Sequence, residues 1–142
     1  MEIKKGSQFI ELDPAWYVRV VIHISDTQDI TFQRAFNTEL QNDFMQLIYD
    51  GEQVQVYKQL KKDISTKVIN DVGKTREAKR FVNLTKYQLI ENDKVKSFKL
   101  SKKDFLKKVS NKKAAEGFLK KNKLKLNKEQ DLVELMKFYD TL

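Results

Sequence analysis

The chain of 142 residues contains no cysteine, one histidine and only four glycines. Without cysteine it forms no disulfide, no thiolate metal site and no cysteine nucleophile. His23 would have to serve any Ser-His-Asp triad, and we expect it instead to be a solvated or hydrogen-bonded side chain on a strand. The glycines lie far apart, so neither a phosphate-binding loop nor a dinucleotide fingerprint is present. The sequence therefore predicts no enzyme, no catalytic residue, no metal site and no cofactor.

Long apolar runs are also missing from the chain. Runs such as Val20–Ile22 lie inside the mixed segment 16–24, which has about half the length needed to cross a bilayer. No apolar segment follows the basic start Met1-Glu-Ile-Lys-Lys-Gly, so no signal peptide is visible. We expect no transmembrane segment.

The composition predicts a folded protein with a single domain over residues 1–142. With 40% hydrophobic residues the chain is too apolar to be disordered, although 34% of its residues are charged. Its hydrophobic period is near two up to about residue 100 and helical afterwards. We therefore predict an α+β fold, with a β-rich part over 1–100 and a lysine-rich helical part over 101–142.

The first hundred residues predict an antiparallel sheet. Residues 16–24 alternate as a half-buried strand, and Asp26 to Asp29 forms a turn, which we prefer to a calcium site, before a short strand at 31–36. Residues 37–43 are a polar connection or one helical turn.

Two hairpins are predicted in the rest of the sheet. The pair Asp50-Gly51 predicts a type I′ turn in a hairpin at 44–60. A second hairpin at 86–100 turns at Asn92-Asp93, where the signal is weaker because glycine is absent. Between them, the segment 64–79 is interpreted as a strand followed by an exposed loop.

About three helices follow after Leu100. Ser101 with Asp104 is typical of a capping box, ahead of Phe105, Leu106 and Val109 on one apolar face. A second helix is predicted from Asn111 to Lys121, and a third after a cap at Asn127.

Positive charge is concentrated in one part of the chain. Residues 102–128 hold eleven lysines against two acidic residues, whereas residues 1–100 carry a net charge of only +2. The lysines could be the solvated face of amphipathic helices or a site that contacts an anion, and both interpretations remain open. The absence of arginine there disfavours sequence-specific DNA recognition but allows nonspecific attraction to phosphate. The candidate anion-contacting residues are Lys107, Lys108, Lys112, Lys113, Lys120, Lys121, Lys123 and Lys125.

Aromatic residues offer a second candidate surface. Trp16, Tyr17 and Phe9 could form an aromatic binding surface, but strand spacing favours packing in the core. A cavity for a small apolar ligand would require Trp16, Phe44 and Tyr57 to converge.

Residues 100–113, 118–126 and 131–140 form a C-terminal block, and residues 44–58 and 86–89 belong to the β-rich part. These segments resemble the corresponding parts of a group of uncharacterised Bacteroidota proteins. Members of the group generally begin with a signal peptide, which is not visible in this chain. The resemblance implies a periplasmic or secreted location and no known activity.

These observations favour a noncatalytic binding or interaction protein, exported to the cell envelope. Its partner is not identified, and a protein or an anionic envelope polymer is the favoured class. The alternative is a cytoplasmic module that binds nucleic acid nonspecifically through the lysines of residues 102–128.

Overall fold

A computed structural model describes residues 2–13, 16–35, 39–40, 43–71 and 74–142. The predicted α+β class is confirmed, because a six-stranded antiparallel sheet is followed by three helices. The elements are β1 (Glu2–Lys5), β2 (Gln8–Glu11), β3 (Arg19–Ser25), β4 (Gln28–Arg34), β5 (Phe44–Asp50), β6 (Val54–Asp71), β7 (Lys74–Glu91), β8 (Lys94–Phe98), α1 (Lys102–Phe105), α2 (Lys112–Lys121) and α3 (Glu129–Tyr139). Strands β1 and β2 pair separately from the main sheet.

The main sheet is a meander in which each strand from β3 to β8 pairs with the next. Its predicted hairpin at 86–100 is confirmed, with Glu91 opposite Lys94. The two linking residues, Asn92 and Asp93, both have positive φ, at 51° and 60°. This is the backbone of a type I′ turn, and Asn and Asp adopt it more readily than other non-glycine residues.

The predicted hairpin at 44–60 is confirmed, but its type I′ turn is wrong. Gly51 is not in the left-handed region of the backbone. The loop is instead held by Asp140, whose carboxylate accepts hydrogen bonds from the backbone N–H groups of Glu52 (3.1 Å), Gln53 (2.8 Å) and Val54 (3.1 Å). A Cβ on Gly51 would lie 2.5 Å from that carboxyl group. Gly51 is therefore required by the close approach of Asp140.

The strand predicted at the start of the segment 64–79 is confirmed, but the exposed loop predicted after it is wrong. Strands β6 and β7 pair continuously from Val54 opposite Glu91 to Asp71 opposite Lys74. The Val72-Gly73 part of the predicted loop lies outside the described residues. Polar side chains on a solvated ribbon give the same low hydrophobicity as a loop, so the sequence pattern missed the start of β7.

Other boundaries also move. Strand β3 starts at Arg19 and not at Trp16, and β4 covers 28–34 and follows a turn that includes Asp26. Phe36, at the end of the predicted strand 31–36, and most of the predicted connection 37–43 lie outside the residues that the structure describes.

The three helices cover one face of the sheet. The buried cluster between them joins strand residues to helix residues: Val54, Val56, Tyr87, Leu89, Phe98, Phe105, Leu106, Val109, Ala115, Leu119, Leu126, Leu132, Leu135, Met136 and Tyr139. A smaller cluster of Ala35, Met45 and Tyr57 lies on the opposite face, where Leu40 packs against it.

The predicted cap at Ser101 is confirmed, and Asn111, which was predicted as the first residue of the second helix, is instead the cap of α2. Ser101 Oγ accepts from the N–H of Asp104 (3.3 Å), and Asn111 accepts from the N–H of Ala114 (3.3 Å). The predicted cap at Asn127 is wrong, because α3 begins after Lys128, which makes no side-chain cap bond. The Asp131 carboxylate in the first turn accepts from the N–H of Leu126 instead (3.0 Å).

The distal part of the β6–β7 hairpin extends beyond both layers. We call residues 60–71 and 74–85 the arm. The pairing of β5 with β6 ends at Lys58, and the pairing of β8 with β7 ends at Tyr87. No third strand among the described residues therefore flanks the arm. Twelve residue pairs correspond to a ribbon of about 40 Å.

Replacing Gly51 by alanine should destabilise the protein by roughly 1 to 3 kcal/mol, because the new Cβ displaces the Asp140 carboxylate from its three N–H donors. Chemical denaturation measures this loss. In an Asp140→Ala background the same change should cost much less, and an equal cost in both backgrounds would contradict the contact. Gly117→Ala is the matched control: its Cβ meets nothing within 4 Å, and it lies inside α2, where alanine should stabilise the helix.

Candidate partner-binding surface

The most extensive polar network in the described residues is centred on the buried side chain of Glu91. Its carboxylate accepts from the Tyr139 hydroxyl (2.8 Å), the Lys96 ammonium (2.7 Å) and the Ser110 hydroxyl (2.7 Å). The Tyr139 hydroxyl in turn accepts from the N–H of Asn111 (2.7 Å). The network thus ties β7 and β8 to the connection after α1 and to the end of α3.

Electrostatics keep this network fixed. Burial acts to raise the pKa of Glu91, but hydrogen bonds from Lys96, Ser110 and Tyr139 outweigh it, and the pKa lies below its ordinary value. Burial raises the pKa of Tyr139, and the neighbouring Glu91 adds to that shift. Both groups therefore hold the protonation states that their hydrogen bonds require.

A hydroxyl beside an ammonium invites comparison with a Ser-Lys nucleophile. The Lys96 Nζ atom lies 3.3 Å from Ser110 Oγ, next to a cavity of about 160 Å³. Lys96 also donates to Glu91, and Ser110 donates its hydroxyl proton to the same carboxylate. A lysine engaged as a donor does not accept the serine proton. The arrangement is suited to holding elements together.

A second carboxylate marks where the helical layer ends. Glu129, at the start of α3, accepts from the Lys58 ammonium (2.6 Å) and from the Tyr87 hydroxyl (2.7 Å). Lys58 and Tyr87 are direct partners across β6 and β7. Although burial acts to raise it, the pKa of Glu129 is lowered by the hydrogen bonds from Lys58 and Tyr87.

The other titratable residues singled out in the sequence have simple surroundings. His23 is exposed on β3, and its Nδ1 atom lies 2.6 Å from the carboxylate of Asp29, which is also exposed. The described residues contain no group of three or more histidine or carboxylate side chains that could hold a metal ion. None of the helices in the described ranges has the length and hydrophobicity of a membrane span.

A groove of about 470 Å³ runs between β5 and α3. Its lining is a mixture of exposed and half-buried side chains: Gln46, Leu47, Ile48, Glu129, Gln130, Val133, Glu134 and Lys137. It is open to solvent and brings no set of catalytic groups together, so it does not define a reaction.

The eight candidate lysines lie on the outside of the helical layer. Lys107 and Lys108 follow α1, four of the others lie on α2, and Lys123 and Lys125 lie between α2 and α3. All are exposed except Lys108, which is half-buried. Lys120 lies 3.4 Å from Glu116, one turn earlier on α2. This placement fits both interpretations of the lysines, a solvated face and an anion-contacting site.

Trp16 and Tyr17 do not pack as predicted, and the side chain of Phe9 lies outside the described residues. Trp16 is 82% exposed and Tyr17 is 47% exposed, so the core role predicted for them is wrong, because the strand begins only at Arg19. Phe44 and Tyr57 point to opposite faces of the sheet, since Tyr57 pairs with Leu47, three residues from Phe44. The cavity that needed Trp16, Phe44 and Tyr57 together is therefore not formed.

The arm carries the surface that sequence analysis missed. Five large apolar side chains along it remain exposed: Leu60 (58%), Ile64 (55%), Val68 (54%), Phe81 (77%) and Leu84 (41%). The sequence does contain a strand signal, because apolar residues recur at alternate positions from Val54 to Val68 with no glycine or proline in the segment. Lysine and threonine occupy the remaining alternate positions, and they made this apolar pattern hard to recognise.

Comparison of the chain with protein-family models, with curated proteins and with solved structures found no match.

Glu91→Gln should lower the free energy of unfolding by about 2 to 4 kcal/mol near neutral pH, because a neutral amide weakens the bonds from Lys96, Ser110 and Tyr139. The pKa of Glu91 is lowered in the folded state, so its stabilisation is present above the unfolded value near 4.5 and is lost as the pH falls through the folded value. The difference between variant and wild type should therefore shrink on acidification. Thermal unfolding from about pH 7 to about pH 3 checks this.

Glu134→Gln, at an exposed carboxylate of α3, is the control and should change stability by less than about 0.5 kcal/mol. A Glu91→Gln penalty that is small, or that stays constant with pH, would show that the network does not hold the helices to the sheet.

Proposed function

We propose that this protein is a noncatalytic binding protein of the cell envelope and that the arm contacts its partner. The observation that carries the proposal is the uncovered apolar side chains on a ribbon that projects beyond both layers. An isolated two-stranded ribbon is only marginally stable in water. A surface of this kind is typical of an element that packs against something else.

The exposed side chains give a useful measure of the binding energy. Full burial of a Leu, Ile, Val or Phe side chain contributes roughly 1.5 to 3 kcal/mol. Leu60, Ile64, Val68 and Phe81 each keep more than half of their surface exposed. Covering all four would contribute on the order of 4 to 8 kcal/mol before the cost of association.

Two further observations support a noncatalytic role in the envelope. Three carboxylates, those of Glu91, Glu129 and Asp140, each accept several hydrogen bonds from other elements of the fold. These bonds hold the elements together. The envelope location rests on the resemblance of residues 44–142 to exported proteins. The favoured partner classes are a protein or an anionic polymer of the envelope.

The competing function is nonspecific nucleic-acid binding in the cytoplasm. It is favoured by the exposure of seven of the eight candidate lysines on one layer of the molecule. Such binding depends on charge and weakens steeply with salt.

Subcellular fractionation of the full-length gene product in its native host tests the proposal. We expect the protein in the envelope fraction. A matched variant replaces residues 62–83 with Asn-Gly between the cross-strand partners Lys61 and Leu84, which form a hydrogen-bonded pair as Asp71 and Lys74 do. It keeps every residue of the two buried clusters. It should therefore remain folded and exported but be released into the soluble exported fraction. A cytoplasmic location, or identical retention of both forms, would contradict the proposal.

A salt series with labelled DNA and RNA tests the competing function. The control variant replaces Lys107, Lys108, Lys120 and Lys121 with glutamine. Under the envelope proposal we expect no binding that depends on these lysines. Micromolar binding that falls steeply with salt and is lost in the variant would establish the nucleic-acid alternative instead.

A further inference from the structure

Cross-strand register places four of the five exposed large apolar side chains of the arm on one face, and the fifth, Leu84, pairs with Lys61 on the other face. Ile64 lies directly opposite Phe81, and Leu60 and Val68 are four residues before and after Ile64 on β6. Alternation puts these side chains on the same face as Val54 and Val56, which meet the helices. The arm therefore extends the core face of the sheet into solvent without its helical cover.

Basic residues surround this apolar face. Residues 60–85 contain seven basic and three acidic residues, a net charge of +4. Lys62 and Lys79 are on the apolar face, each two residues from a member of the Ile64–Phe81 pair, and one carboxylate, Glu77, lies on that face opposite Val68. The opposite face carries Lys61, Lys67, Arg76 and Arg80. An occupant must therefore supply both an apolar phase and negative charge.

We propose that the arm binds the surface of an anionic lipid bilayer. This inference rests on the proposed function and assigns to the arm a lipid partner, in place of the protein or anionic polymer that the sequence favoured. Ile64, Phe81 and their apolar neighbours contact the acyl chains just below the headgroups. Lys62 and Lys79 extend their ammonium groups up to the phosphates, as long basic side chains do at a membrane interface.

Other occupants satisfy only half of this requirement. A second copy of the chain would cover the apolar side chains but would bring two arms of charge +4 together. A nucleic acid would neutralise the lysines and arginines, but its grooves offer little to cover Leu60, Ile64 and Val68. An anionic bilayer supplies both apolar acyl chains and negatively charged headgroups at one surface.

The free edges of the ribbon set the depth of binding. Beyond Lys58 and Tyr87, the outward N–H and C=O groups of β6 and β7 face no other strand in the described part of the chain. Unpaired backbone groups are not tolerated in the hydrocarbon core. The arm therefore lies flat in the interfacial region, where water reaches its edges.

Tryptophan fluorescence of the purified chain with vesicles tests this inference. The reporter is Phe81→Trp in a Trp16→Phe background, which leaves one tryptophan, on the arm. Vesicles of phosphatidylcholine with phosphatidylglycerol should shift its emission to the blue. Partitioning into phosphatidylcholine alone should be at least about tenfold weaker, and added salt should weaken the anionic case.

Two variants separate the apolar and charged contributions. Ile64→Thr with Phe81→Thr keeps strand propensity and charge, and Lys62→Gln with Lys79→Gln keeps the apolar face. Each should reduce vesicle co-sedimentation by about tenfold or more. Val21→Thr, at an exposed apolar side chain of β3, is the matched control and should bind as wild type does. The changed arm residues are exposed in the fold, and circular dichroism checks that each variant is folded.

Several results would overturn the lipid inference. Vesicle binding that neither pair of substitutions reduces would place any lipid contact elsewhere. A dimer in analytical ultracentrifugation that the threonine variant abolishes would assign the arm to a second copy. A blue shift with DNA but not with vesicles would assign it to nucleic acid. Retention in the envelope that depends on the arm, without vesicle binding, would leave the proposed function standing and remove only its lipid partner.

Discussion

Glu129 lies at the point where the helical cover of the sheet ends. Its carboxylate binds Lys58 and Tyr87, which face each other across the two longest strands of the molecule. Toward the hairpin base, Val56 and Leu89 are fully buried under the helices. Beyond Glu129, on the same face, Leu60 and the side chains that follow it have no cover in the described structure. One hairpin therefore serves as core strands at its base and as an exposed ribbon at its end.

The C-terminal segment is fastened to this base by polar contacts that reinforce its apolar core. Tyr139 reaches Glu91 at the end of β7, and Asp140 binds the backbone of the β5–β6 loop. Because α3 is held at Glu129 and again at Tyr139 and Asp140, its length and position are tied to the base of the sheet. The helical layer consequently leaves the arm free to contact another surface.

Local features of the sequence predicted local structure well. The capping box at Ser101 and Asp104, the hairpin at Asp50-Gly51 and the helical period after Leu100 each depend on neighbouring residues. Features set by distant residues were missed or misassigned. The role of Gly51 depends on Asp140, and the burial of Glu91 depends on Tyr139, contacts that no short-range pattern encodes. The second part of the segment 64–79 was interpreted as a loop because polar residues interrupt the hydrophobic alternation of a ribbon that is solvated on both faces.

Native-state hydrogen exchange of the free protein tests most directly whether the cover ends at Glu129. Hydrogen-bonded amides of residues 54–58 and 87–91 should exchange only with global unfolding, because the helices pack over them. Those of residues 60–71 and 74–85 should exchange through local opening, at least about 100-fold faster, because a two-stranded ribbon is marginally stable alone. We predict that protection from exchange falls sharply on going from the Lys58–Tyr87 pair into the arm. Equal protection along the whole hairpin would contradict an uncovered arm.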